Sequence, residues 1–233
     1  TIVMSQSIIK KSTYNQTLLK NQINYTISQK QIIYDDKLSL SYLYEQGTEQ
    51  FILKVYPISN FQIIQHEIED SENIKHPNII TSIDIIPFQY NNETIIVFVN
   101  QKLDTTLLDH IINKYQDLLH YMLTIVDLFI FLHQHNTLHL DIKHQSFFVQ
   151  DNKLLVQVFH QHKIFESELR FKAPEIYKQA FSEENDIYGL GVLFSELIRK
   201  KTSQSVKKFI FGNKIQKMVN KMIEKKISKR ISL

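Results

Sequence analysis

Near Thr105 the apolar residues of this 233-residue chain change their period, and that change restricts the fold more than any other feature. Before it stand short β-rich runs, INYTI (23–27), QIIY (31–34), LSLSYLY (38–44) and FILKVY (51–56), separated by the polar turns DDK and EQGTEQ. Such runs predict an antiparallel meander. A helical segment is expected across Phe61 to Asn73, then a break at HPN (76–78), then two more strands in IITSIDIIPF and ETIIVFV. After Thr105 the spacing is about 3.6, through LLDHII (107–112) and LLHYMLTIVDLFIFLHQH (118–135). The pattern predicts an α+β fold with a strand-rich first part and a helix-rich second part.

Several function classes fall away on composition. A chain that is 43% hydrophobic and 22% charged buries a full core. Neither a membrane span nor a secretory signal is visible. With no cysteine, disulfides, thiolate zinc sites and cysteine nucleophiles are excluded, and a reducing compartment, cytoplasmic or nuclear, is the expectation. The chain holds only four glycines, Gly47, Gly189, Gly191 and Gly212, so a phosphate-cradling loop has few places to form.

Charge is unevenly distributed. Residues 199–233 carry 12 Lys or Arg against the single acid Glu224, on an otherwise acidic chain. Within that segment, Asn213 to Ile227 places Ile215, Met218, Val219, Met222, Ile223 and Ile227 at helical spacing with lysines elsewhere. Two readings are open: a C-terminal helix that packs its apolar face and solvates its lysines, or a basic surface for nucleic acid, anionic lipid or an acidic partner. Histidines also cluster in sequence. His133, His135, His139, His144, His160 and His162 raise the idea of a transition-metal or pH-sensitive site, against solvated or packed imidazoles.

Six local motifs occur in a telling order: FILKVY with Lys54, HEIEDSENIKHPNII with Glu67 nine residues before His76, HLDIKHQS (139–146), KAPE (172–175), NDIYGLGVLFSELI (185–198) and KKISKRISL (225–233). Together they resemble the eukaryotic protein kinase family over residues 25–232. HLDIKHQS is similar to HRDLKPEN, KAPE to the APE motif, and NDIYGLG to SDIWSLG. The resemblance implies a bilobal kinase-like fold, with a small antiparallel N-lobe plus helix C and a compact α-helical C-lobe. It implies residues 1–22 as an N-terminal extension, 23–102 as the N-lobe, and 103–233 as the C-lobe with basic C-terminal helices. It also implies a Lys54–Glu67 ion pair as a nucleotide-binding remnant and an Arg230–Glu175 pair. Asp141 and Lys143 become catalytic-loop remnants, while His139 and Asp186 take structural places.

Departures from the family pattern carry as much information. QKQIIYDDKLSL (29–40) stands where a glycine-rich loop would let backbone N–H groups approach phosphates, and Asp35 and Asp36 would repel them. Ile52 replaces the small residue that packs on adenine. Ser146 stands five residues after Asp141, where the family has a magnesium-binding asparagine. Val158, Phe159 and His160 stand at DFG, so valine replaces the metal-binding aspartate. A serine hydroxyl is a poor magnesium ligand and valine is none. Leu140 replaces the arginine that reads a phosphorylated activation loop.

The expectation is a catalytically inactive pseudokinase acting as a scaffold or allosteric regulator. It would bind ATP weakly or not at all, hold no magnesium or other metal, and engage a protein partner such as an active kinase or a larger assembly. One alternative is a noncanonical or weak nucleotide-binding phosphotransferase. The other is a nucleic-acid-binding subunit working through the basic segment, residues 199–233.

Overall fold

In the computed structural model the described residues are 32–35, 40–46, 49–60, 65, 68–69, 73–103, 105–110, 112, 114–158, 169–178, 181–201 and 214–233. The INYTI run, the extension at 1–22, Gly47, Gly212, Glu67, Phe159 and His160 lie outside them.

The chain divides into two compact units. Unit one holds a five-stranded antiparallel sheet ordered β1-β2-β3-β5-β4. Its strands are β1 (Ile32–Asp35), β2 (Leu40–Gln46), β3 (Glu49–Pro57), β4 (Asp84–Tyr90) and β5 (Glu93–Gln101). Alternation along β3 and β5 sends Phe51, Leu53, Val55, Val97 and Val99 into one apolar cluster. The opposite face sends Tyr56, Ile96 and Phe98 into another, with Ile68 and Ile85. Period-two alternation with both faces covered makes this sheet. Of the helix predicted over Phe61 to Asn73, the described residues Gln65, Ile68, Glu69 and Asn73 are helical.

A chain short of glycine needs other residues for its tight turns. The β4–β5 hairpin turns on Asn91 (φ 50°) and Asn92 (φ 65°). Short polar side chains tolerate the left-handed region, and two such residues in succession match the twist of a hairpin.

Unit two contains Ile74–Ile80 as well as Leu103 onward. The HPN turn therefore belongs with the helical part, although the sequence boundary at 102/103 puts it with the strands. Ile80 N–H donates to Val156 O (2.9 Å), Val156 N–H to Asn78 O (2.7 Å) and Asn78 Nδ2 to Leu154 O (2.8 Å). These bonds tie the turn to a small hairpin, β6 (Phe147–Gln150) and β7 (Lys153–Val156), itself turning on Asp151 and Asn152 at positive φ.

The core of unit two forms around α1 (Tyr115–Gln134) and α2 (Glu183–Lys201), where Leu118, Ile125, Leu128, Phe129, Leu190 and Phe194 are buried. α1 ends in a double-bonded left-handed cap. Asn136 (φ 54°) donates to His133 O (2.9 Å) and Thr137 N–H to Leu132 O (3.0 Å), which closes the last turn and redirects the chain. Gly191 lets α3 (Lys214–Met222) approach α2 closely: a Cβ there would sit 2.7 Å from Met222 Cβ and Ile223 Cγ2. Gly189 does the same for the loop after α1, since its Cβ would lie 3.0 Å from Ile142 Cβ.

Two expected helices differ. Leu107 to His110 form a single turn: Asp109 and His110 N–H both donate to Thr106 O, while Leu107 N–H is taken by Phe147 O of β6 (2.8 Å). The apolar spacing of LLDHII buries Leu107, Leu108 and Ile112. The predicted helix from Asn213 to Ile227 stops at Met222. Beyond it, Arg230 captures Glu224 O through Nε (3.0 Å) and Nη2 (2.7 Å), and the chain folds back.

Candidate functional site

The residues from Thr137 to Ser146 leave α1 and form a loop whose shape is set by a carboxylate far along the chain. Asp186, fully buried on α2, accepts from His139 N–H (Oδ2, 2.9 Å), Leu140 N–H (Oδ1, 2.8 Å) and His133 Nε2 (Oδ2, 3.1 Å). Hydrogen bonds to an ionised group are stronger than neutral ones, which suits a carboxylate that must hold a loop against strain. The strain is at Leu140, a branched residue at φ 56°. Left-handed backbone costs such a residue about 1–2 kcal/mol. Its N–H is held by Asp186, and its carbonyl accepts from Lys172 Nζ (2.8 Å).

His139 is completely buried, its ring lying parallel to Phe129 (centroids 5.6 Å apart, 18°) and Phe147 (6.3 Å, 5°). Its nitrogens are spoken for. Nδ1 accepts from Asp141 N–H (3.3 Å), and Nε2 bonds Gln157 O (2.9 Å), a group that can only accept. The proton therefore sits on Nε2 and the ring is neutral. Burial lowers its pKa, outweighing the opposing pull of Asp186 and Asp141.

Asp141 is buried, and Lys143 Nζ donates to its Oδ2 at 2.6 Å. Its Oδ1 has no hydrogen-bond partner. Ser146, also buried, spends its hydroxyl on Asp141 O (3.2 Å), and its carbonyl accepts from Gln157 N–H (2.9 Å). Val158 is buried at 1% exposure. At Ser146 and Val158, the two positions that the resemblance sets against magnesium ligands, there are thus a hydroxyl already bonded inside the loop and an apolar side chain. A hard dication wants carboxylate oxygens, so this donor set does not fit magnesium held in the family's manner.

Around the loop, His144 and three residues that sequence reasoning passed over, Arg170, Lys172 and Glu196, complete the network. Lys172 is buried next to Leu140, and burial lowers its pKa against the pull of Asp141. His144 bonds Glu196, which also accepts from Arg170 Nη1 (2.7 Å), while Arg170 Nη2 approaches His144 Nδ1 (3.4 Å). Lys172 could have been noticed beside APE; Glu196 carries no local signal, because only folding brings α2 to His144. Farther along, Arg230 pairs with buried Glu175 and also donates to Glu184 O (2.8 Å), while Asn185 Nδ2 donates to Glu175 Oε1 (3.2 Å).

In unit one Lys54 is buried on β3, its Nζ 4.8 Å from the Tyr56 ring centroid. Its expected partner, Glu67, lies outside the described residues. Among the described residues no group of three or more His, Cys, Asp or Glu could hold a metal ion. His133, His139 and His144 are instead each engaged in the hydrogen bonds above. No helix among the described residues is long and apolar enough to cross a membrane.

The loop folded over Asp186, the Glu175–Arg230 pair and the HPN turn all fall inside one comparison. The family model described as protein kinase domain matches residues 44–233. With the antiparallel sheet, the helical unit and this match together, the chain belongs to the protein kinase family.

Proposed function

We propose that this chain is a pseudokinase: a catalytically inactive member of the family that works as a protein-interaction scaffold or allosteric regulator, in the cytoplasm or nucleus. One observation carries the reading. The two aligned metal positions are Ser146, bonded to the loop itself, and buried Val158, so no second carboxylate faces Asp141 there. Phosphoryl transfer depends on metal-assisted charge neutralisation and positioning, and the residues present supply neither in the usual way. The groups retained do something else: Asp186, His139 and Glu175 hold backbone and packing, which a binding surface requires as much as an enzyme does. A partner would be a protein, such as an active kinase or a larger assembly.

A second reading has its own support. Asp141 Oδ1 is a buried acceptor without a donor, which is where an active relative would orient a substrate hydroxyl. A weak, noncanonical phosphotransferase would use it.

Thermal-shift titration with ATP, with and without magnesium or manganese, separates the readings. A ligand that binds only the folded state stabilises by about 2.7 kcal/mol at 100 times its Kd. The pseudokinase reading expects no metal-dependent shift at millimolar nucleotide. A shift that requires metal and disappears in Lys54→Met overturns it in favour of the phosphotransferase.

A further inference from the structure

Helix α3 has one face committed and one left over. Val219 and Met222 are buried in the core of unit two, with Ile215 and Met218 packed beside them. At about 100° per residue, Lys214, Lys217 and Lys221 fall within about 60° of one another on a flank whose centre lies about 115° from that of the buried face. All three are exposed, and so are Lys225, Lys226 and Lys229 in the segment after the helix. Among the described residues none of these six lysines takes part in an ion pair. The one acid nearby in sequence, Glu224, is half-buried.

We propose that this lysine face is a docking surface for the phosphate backbone of duplex nucleic acid, bound without sequence preference. Charge density is the first argument. Lys214 to Lys221 spans about 10 Å of helix, and a duplex presents a phosphate about every 1.7 Å of its axis, so each ammonium meets an anion without the duplex bending. The second is what the face lacks. Residues 214–233 contain no aromatic side chain, so bases have no stacking platform as single strands would require. Ammonium groups also act as point charges, suited to phosphates and not to reading base edges. The third concerns rival anions. A bilayer-binding helix inserts its apolar face, and that of α3 is already buried in protein. Protein partners draw affinity from large apolar or aromatic anchors; α3 exposes none, and among the lysines that follow it only the single aliphatic Ile227 is exposed, with no aromatic beside it.

The test is fluorescence anisotropy of a short mixed-sequence DNA or RNA duplex with the full chain, titrated over salt. Binding at low salt should weaken with a log–log slope of about −3 to −5, as about 0.9 per phosphate contact predicts for up to six lysines. The triple variant Lys217→Glu/Lys221→Glu/Lys225→Glu should lose at least about tenfold in affinity. The neutralised version with glutamine at the same three positions should fall between, which separates charge from any loss of folding. Absence of binding at low salt overturns the proposal. So does affinity that the triple variant leaves unchanged, or equal affinity for polyglutamate or for phosphatidylserine vesicles.

Discussion

Two buried aspartates lie in the same loop network and are treated in opposite ways. Asp186 has both oxygens occupied, by two backbone N–H groups and an imidazole. Asp141 has one oxygen on Lys143 and one with no partner. The first carboxylate is structural: without it the strained Leu140 turn and the N–H of His139 lose their partner inside protein. The second contributes little to the loop that Lys143 and Ser146 do not already provide. What the contrast teaches is that one carboxylate is fully used in holding the backbone of the loop while the other keeps an acceptor without a hydrogen-bond partner.

The largest expected effect tests the structural half. Asp186→Ala should destabilise the chain by about 3–5 kcal/mol in urea unfolding, because it orphans buried donors that had a charged acceptor. A cost below about 1 kcal/mol would show that the loop does not depend on this carboxylate. Next comes the packing that brings the helices together. Gly191→Ala pushes a methyl to 2.7 Å from Met222 Cβ and should lower stability by about 1–3 kcal/mol, with the thermal midpoint as readout.

A smaller effect depends on pH. His139 is neutral when folded and its pKa is held below the ordinary 6.5 by burial. The unfolded chain therefore binds a proton at this site first. The contribution is complete above pH 6.5 and is lost as pH falls from there towards the depressed folded value, with a slope of at most about 1.4 kcal/mol per pH unit. His139→Gln should flatten the acid limb of stability against pH; an unchanged limb would mean that other groups produce it. The smallest effect sharpens the comparison itself. Asp141→Asn should change stability by less than about 1 kcal/mol, since Lys143 keeps an acceptor and the unpartnered position was already unsatisfied. A loss as large as that of Asp186→Ala would erase the distinction between the two residues.

Much of this was legible in the chain because it rests on local rules. Alternation marked β2, β3 and β5; a sustained 3.6-residue period marked α1; and the order of short motifs carried the family. Asp186, Glu175 and Arg230 could be named because each sits inside such a motif. Local rules also failed in identifiable places. The spacing in LLDHII is helical, yet Leu107 to His110 form a single turn, with Leu107 N–H taken by Phe147 O of β6. The C-terminal helix is patterned through Ile227, but Arg230 captures Glu224 O and ends it sooner.

What the chain by itself determined, then, is the inventory: which segments alternate, which repeat at 3.6, that serine stands at 146 and valine at 158, and that lysines crowd the last 35 residues. Only the tertiary structure decided how those residues are used. It put Glu196 against His144 and Arg170, placed Lys172 on the carbonyl of Leu140, assigned the HPN turn to the helical unit, and turned three lysines of α3 to one exposed side. The physical reason is that propensity and periodicity act over a few residues. A hydrogen bond between groups 30 or 50 positions apart exists only once the core has brought them together, and it then overrides the local preference.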